Sequence, residues 1–141
     1  MQVICANEHG VAEAAHEIIR FAGNTPIWLF YGQMGAGKTT LIKAIAREFS
    51  VEDTVHSPSF NLVNEYRNAK GQPFYHFDFY RIKNETEALD IGVDEYFESG
   101  NICFVEWPEK IPGLIPDSFF QIEIEIADNM ARHINLCHYG K

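Results

Sequence analysis

The feature that most constrains this chain is Gly32-Gln33-Met34-Gly35-Ala36-Gly37-Lys38-Thr39, which fits the pattern G-x-x-x-x-G-K-[ST]. By average residue usage, that pattern arises by accident in roughly one of a few hundred chains this long. Its surroundings narrow the reading. Ile27-Trp28-Leu29-Phe30-Tyr31 is an unbroken apolar run of the kind that forms an inner parallel strand. Behind the motif, Leu41, Ile42, Ile45, Ala46 and Phe49 fall on one helical face. Strand, glycine-rich turn and helix in that order form a phosphate-binding loop, or P-loop. Its glycines let the backbone fold around phosphates with successive N–H groups pointing inward. The helix N-terminus adds about half a unit of positive charge. Lys38 would neutralise β- and γ-phosphate oxygens, and the Thr39 hydroxyl would hold Mg²⁺. The alternative is a flexible glycine turn carrying a solvated lysine.

The rest of the chain alternates between helical and strand patterning. Gln2 to Ala6 reads as a short strand. Asn7 reads as an N-cap, with Val11, Ala14, Ala15, Ile18, Ile19 and Ala22 at helical spacing behind it and Gly23-Asn24 as the stop. Phe60 to Tyr66 and Phe74 to Tyr80 alternate around a turn-rich stretch, as an antiparallel hairpin does. Glu85 to Phe97 is helix-like and broken at Gly92. Ile102 to Val105 is a further buried strand ending at Glu106, and three prolines then mark a loop. Phe119 to Ile126 alternates, with Arg132 to Leu136 placed to pair back. The expected fold is α/β: a P-loop NTPase-like, three-layer arrangement with a mixed parallel and antiparallel sheet and helices on both faces. Residues 1–141 are expected to form a single domain.

Two acidic residues are placed to complete a metal site. Glu106 follows Ile-Cys-Phe-Val, at the end of a buried strand. Asp78 lies within Phe77-Asp78-Phe79, where alternation permits either face. The alternatives are a solvated strand-end acid for Glu106 and a salt bridge with Arg81 for Asp78. His56-Ser57-Pro58-Ser59-Phe60 follows the P-loop helix, where a loop sensing the γ-phosphate would lie. It reads equally as a Ser-Pro turn leading into a strand. Trp107 beside Glu106 reads first as core packing. His9, His16, His76, His133 and His138 show no metal spacing and read as structural or exposed.

Charge and cysteine usage bound the partners. Eleven basic against 20 acidic residues give a net charge of −9. That disfavours a freestanding binder of nucleic acid or anionic membrane, which needs a positive surface. Three cysteines with no CxxC argue against a disulfide scaffold or zinc site and fit a reducing, cytoplasmic setting. MQVICANEHG lacks a basic n-region, and the longest uncharged apolar stretch, Pro26 to Tyr31, is too short to span a bilayer. The guanine-reading N/T-K-x-D is absent, which favours ATP over GTP. A nucleotide kinase would want several clustered arginines, and Arg20, Arg47, Arg67, Arg81 and Arg132 are scattered.

Five blocks stand in order along the chain: Gly35-Ala36-Gly37-Lys38-Thr39-Thr40; His56-Ser57-Pro58-Ser59-Phe60; Tyr75-His76-Phe77-Asp78-Phe79-Tyr80-Arg81; Glu87-Ala88-Leu89 with Gly92 and Glu95-Tyr96-Phe97; and Val105-Glu106-Trp107-Pro108-Glu109. Together they resemble the TsaE (YjeE) family of bacterial P-loop ATPases, over about residues 7 to 136. Ser59 stands where that family commonly has threonine, and it keeps the hydroxyl.

The resemblance implies an ATPase of low intrinsic activity that supports formation of N6-threonylcarbamoyladenosine on tRNA. It would act with a TsaD–TsaB heterodimer and reach tRNA through that complex, while TsaC or Sua supplies threonylcarbamoyl-adenylate. It would not itself be the transferase. It implies ATP or ADP at Met34, Gly35, Ala36, Gly37, Lys38, Thr39 and Thr40. Thr39 and Glu106 would hold Mg²⁺, and Asp78 would orient the attacking water or sense the γ-phosphate. His56 to Phe60 would be the switch, and Trp107 would help shape the site. Asn7 or Glu8 and Arg132 would lie on the adenine side. Two other readings remain: a freestanding small-molecule kinase using the same loop, and a protein holding nucleotide as a fixed cofactor.

Overall fold

A computed structural model describes residues 1–6, 10–58 and 61–140. Seven strands form one sheet: β1 (Gln2–Cys5), β2 (Ile27–Tyr31), β3 (Val63–Arg67), β4 (Pro73–Asp78), β5 (Ile102–Glu106), β6 (Phe119–Ile126) and β7 (Arg132–Tyr139). Four α-helices among the described residues accompany them: α1 (Val11–Ala22), α2 (Lys38–Glu48), α3 (Glu85–Asp90) and α4 (Val93–Glu98). The strand order is β1-β7-β6-β2-β5-β4-β3. β2 runs parallel to β5 and β6, and β4 runs parallel to β5. The β3–β4, β6–β7 and β1–β7 pairs are antiparallel. The sheet is therefore mixed, as the sequence implies.

Strand alternation sorts the apolar side chains into two cores. Trp28, Phe30, Phe74, Phe104 and Phe120 face the layer of α1 and α2. Trp28 meets Phe104 and Phe120 edge-on at 5.5 and 5.3 Å between centroids. Ile27, Leu29, Phe77, Cys103 and Val105 face the other way, onto Ala88 of α3, Val93 and Phe97 of α4, and Ile111. Each fully buried large side chain contributes about 1.5–3 kcal/mol through removal of apolar surface from water. Helices thus cover both faces of the sheet, which gives the three layers.

Most boundaries follow the sequence pattern, and the differences have local causes. The N-cap expected at Asn7 lies outside the described residues, as does Phe60. β3 begins at Val63 because Leu62 sits at φ 62°, in the left-handed region that a strand cannot continue through. β4 ends at Asp78 because the Tyr80 N–H turns back to donate to Asp78 Oδ1 at 3.0 Å. β7 runs on to Tyr139, where Phe119 of β6 is its partner. The acidic segment breaks at Gly92, whose φ of 82° caps α4. No helix among the described residues is long and apolar enough to cross a membrane.

Candidate functional site

Register brings three strand ends together. Phe30 of β2 lies opposite Glu106 of β5, and Asp78 of β4 lies opposite the same Glu106. These are the carboxyl ends of adjacent parallel strands, where open α/β sheets bind ligands. The P-loop leaves β2 at this point. Gly35 at φ 82° and Gly37 at φ 100° give it its tight course, and Ala36 N–H closes a turn onto Gln33 O at 3.0 Å. Gly37 is constrained twice, because a Cβ there would also stand 2.8 Å from Arg132 Nε. That nitrogen donates to Ala36 O at 2.9 Å, so β7 braces the loop from the side. Met34, Gly35, Gly37, Lys38, Thr39 and Thr40 line a cavity of about 290 Å³ that also takes in Ser57, Asp78, Glu106, Trp107 and Arg132. Arg132, expected on the adenine side, lies against the P-loop backbone; Glu8 lies outside the described residues.

Lys38 is only 5% exposed. Its Nζ donates to Gly32 O at 2.6 Å and stands 3.5 Å from the centroid of the Trp107 ring. Burial pushes the Lys38 pKa down, against the opposing pull of Glu106, Glu109 and Asp78. Trp107 is held at φ 59°, ψ 49°. A bulky residue in that left-handed conformation costs on the order of 1–3 kcal/mol. Tyr80 packs on it with ring centroids 4.9 Å apart. Trp107 is therefore not ordinary core packing: its face carries the P-loop lysine.

The Thr39 hydroxyl donates to both oxygens of Glu106, at 3.0 and 3.1 Å, and lies 2.8 Å from the Ser57 hydroxyl. Two hydroxyls and a carboxylate form a hard oxygen set, which suits Mg²⁺ held jointly by protein and phosphate oxygens. The chemistry of these donors fits that ion. Glu106 is 3% exposed, so it is not a solvated strand-end acid. Asp78 lies at the rim of the same cavity and lines an adjoining hollow of about 250 Å³ with Ser57, Pro58, Tyr80 and Arg81. Burial pushes its pKa up; the Tyr80 N–H and the nearby His76 and Lys38 pull down, and Glu106 pushes up. Among the described residues no ion pair joins Asp78 to Arg81. Of the loop expected to act as a switch, His56, Ser57 and Pro58 are described, and Ser59 and Phe60 are not.

Two residues of this site escaped the sequence reading. His76 is fully buried, and its Nε2 lies 2.6 Å from Glu106 Oε2. Its Nδ1 lies 2.9 Å from the hydroxyl of Tyr66, itself 3% exposed. The available signal was parity: His76 shares a strand face with Asp78, two residues on.

Comparison with known proteins gives a consistent picture. The family profile described as "Threonylcarbamoyl adenosine biosynthesis protein TsaE" matches residues 5–134. A "tRNA threonylcarbamoyladenosine biosynthesis protein TsaE" of Haemophilus influenzae is 39% identical over 105 residues, covering 74% of this chain and 65% of that protein. The chain thus matches just under two thirds of that relative's length. The protein of the same name from Bacillus subtilis is 37% identical over 120 residues, covering 85% of this chain and 74% of that one. The crystal structure of Bacillus subtilis YdiB superposes with a TM-score of 0.81 at 30% identity, covering 99% of this chain and 86% of the other.

Proposed function

The chain belongs to the TsaE family, and on that premise we propose that it binds ATP with Mg²⁺, hydrolyses it slowly, and serves threonylcarbamoyladenosine formation on tRNA as an accessory to a TsaD–TsaB complex in the cytoplasm. The observation that carries this reading is the meeting of the P-loop hydroxyl of Thr39 with the buried carboxylate of Glu106 at aligned strand ends. Bound Mg²⁺ would supply charge neutralisation at the phosphates. Thr39 and Glu106 would hold it. Lys38 would leave the Gly32 carbonyl for phosphate oxygens, and the α2 N-terminus would add its dipole. Asp78, at the rim, would orient the attacking water. A net charge of −9 disfavours direct binding of tRNA; tRNA would be met through the partners.

A freestanding kinase would need arginines for two sets of phosphates. Arg132 reaches the P-loop and Arg81 the adjoining hollow, while Arg20 and Arg67 pair with Glu17 and Glu65 at the surface. The decisive experiment is reconstitution of tRNA modification from TsaC, TsaD and TsaB, with and without this chain and ATP. Sustained turnover should require both. Full turnover in their absence would overturn the reading.

Partner binding should also follow nucleotide state. Ser57 touches Thr39, so occupancy of the phosphate site reaches the loop at 56–58 through one hydroxyl. Capture of the chain on an immobilised TsaD–TsaB dimer is expected to differ at least severalfold between ADP and a non-hydrolysable ATP analogue. Equal retention with both, and without nucleotide, would remove the loop from the mechanism.

A further inference from the structure

The hydrogen bonds around Glu106 close into a ring. Ser57 Oγ meets Thr39 Oγ1 at 2.8 Å, and Thr39 donates to Glu106. Glu106 Oε2 meets His76 Nε2 at 2.6 Å, and His76 Nδ1 meets the Tyr66 hydroxyl at 2.9 Å. Tyr66 in turn donates to the His56 carbonyl at 2.9 Å and accepts from the His56 N–H at 3.2 Å. His56 is the neighbour of Ser57, so the circuit ends where it began. Building on the nucleotide-site reading above, we propose that Tyr66 and His76 are positioning residues that tie the loop at 55–58 to the Glu106 carboxylate, so that each fixes the other's place.

The tie follows from counting protons. A carboxylate only accepts, so His76 presents Nε2–H to Glu106, and in the tautomer with that one ring proton Nδ1 accepts. The Tyr66 hydroxyl has one proton and two acceptors within 2.9 Å, His76 Nδ1 and His56 O. It can serve only one at a time. Donation to His56 holds the loop; donation to His76 leaves that carbonyl to Asn64 Nδ2, at 3.0 Å. A shift of Glu106 moves His76, changes its claim on that proton, and is felt at His56. Outer partners of this kind typically change metal affinity 10–100-fold when removed. A purely structural role would be simpler: two buried polar side chains satisfying one another.

Tyr66→Phe separates the two. It keeps the ring beside His76 and removes the one proton. The Mg²⁺ concentration supporting half-maximal nucleotide binding, read by calorimetry, should rise about tenfold. Amide exchange at 56 and 57 should accelerate and no longer respond to Mg-nucleotide, while β2 and β5 keep their protection. Faster loop exchange with an unchanged Mg²⁺ midpoint would make Tyr66 a structural partner only and overturn the proposal. If Tyr66→Phe does not fold, His76→Gln serves instead: its amide still reaches Glu106 but not Tyr66, and an unchanged loop response there overturns the proposal equally. Should the wild type bind no Mg-nucleotide, the nucleotide reading falls by itself. The tie is then decided by the His76 ring nitrogens, and an Nδ1 resonance that stays put in Tyr66→Phe overturns it.

Discussion

Replacing Lys38 with alanine is expected to lower Mg-ATP affinity at least about 100-fold, which is about 2.8 kcal/mol at 1.4 kcal/mol per decade. The ammonium is the positive side chain facing Glu106, Glu109 and Asp78, which act on it together. Without it, those three carboxylates would repel the incoming phosphates more strongly. Its neighbours, the Gly32 carbonyl at 2.6 Å and the Trp107 ring at 3.5 Å, supply no positive charge in its place. The fold should survive: alanine suits the first turn of α2, and Leu41, Ile42 and Ile45 keep that helix seated. Calorimetry on a protein whose Tm has moved by no more than a few degrees would check this. Unchanged affinity in such a variant would contradict the phosphate role of the loop.

Asp78→Asn is expected to separate binding from turnover. Asparagine keeps the size and still accepts from the Tyr80 N–H, while the charge is lost. Thr39 and Glu106 remain, so ATP affinity should stay within a few-fold. Hydrolysis should fall about 100-fold or more, the usual scale for a positioned acid–base group. Stability supplies a second test, with a definite sign. Burial raises the Asp78 pKa above its ordinary 3.8, so the ionised form is penalised in the folded protein. That penalty is absent below the unfolded value, grows between it and the higher folded value, and is complete at neutral pH. Asp78→Asn should therefore melt at or above the wild type at pH 7, an advantage that fades as the solution is acidified through that window. A structural ion pair would give the reverse. A destabilised variant with normal hydrolysis per folded molecule would end the catalytic assignment.

What could be read from the sequence was what neighbours in the chain determine. Ile27 to Tyr31 and Ile102 to Glu106 announce buried strands by composition, and the glycine-rich motif fixes the turn between β2 and α2. Glu106 was legible because a charge ending an apolar run must leave the core or be satisfied at its edge. His76 was not, because Tyr75 and Phe77 flank it and β4 is buried on both faces; its parity with Asp78 marks a shared face but not a carboxylate partner on β5. Its partners lie 10 and 30 residues away in sequence. Tyr66 was legible as a strand residue, not as a donor to the loop at 56. The left-handed backbone of Trp107 was equally hidden, since tryptophan seldom adopts it and only the surrounding contacts hold it there.

The brace between Arg132 and Ala36 spans 96 residues of sequence. At about 5–20 residues per second, a ribosome needs roughly 5–20 seconds to make the chain between them. Throughout that interval the growing polypeptide carries a complete phosphate motif that lacks its lateral support. β2 also waits for β6, its neighbour on the side away from β5, and meanwhile shows a bare edge of the kind that invites wrong pairing. If the loop binds phosphate as proposed, firm binding would wait for β7, and a fragment ending before β7 would display the motif without this brace.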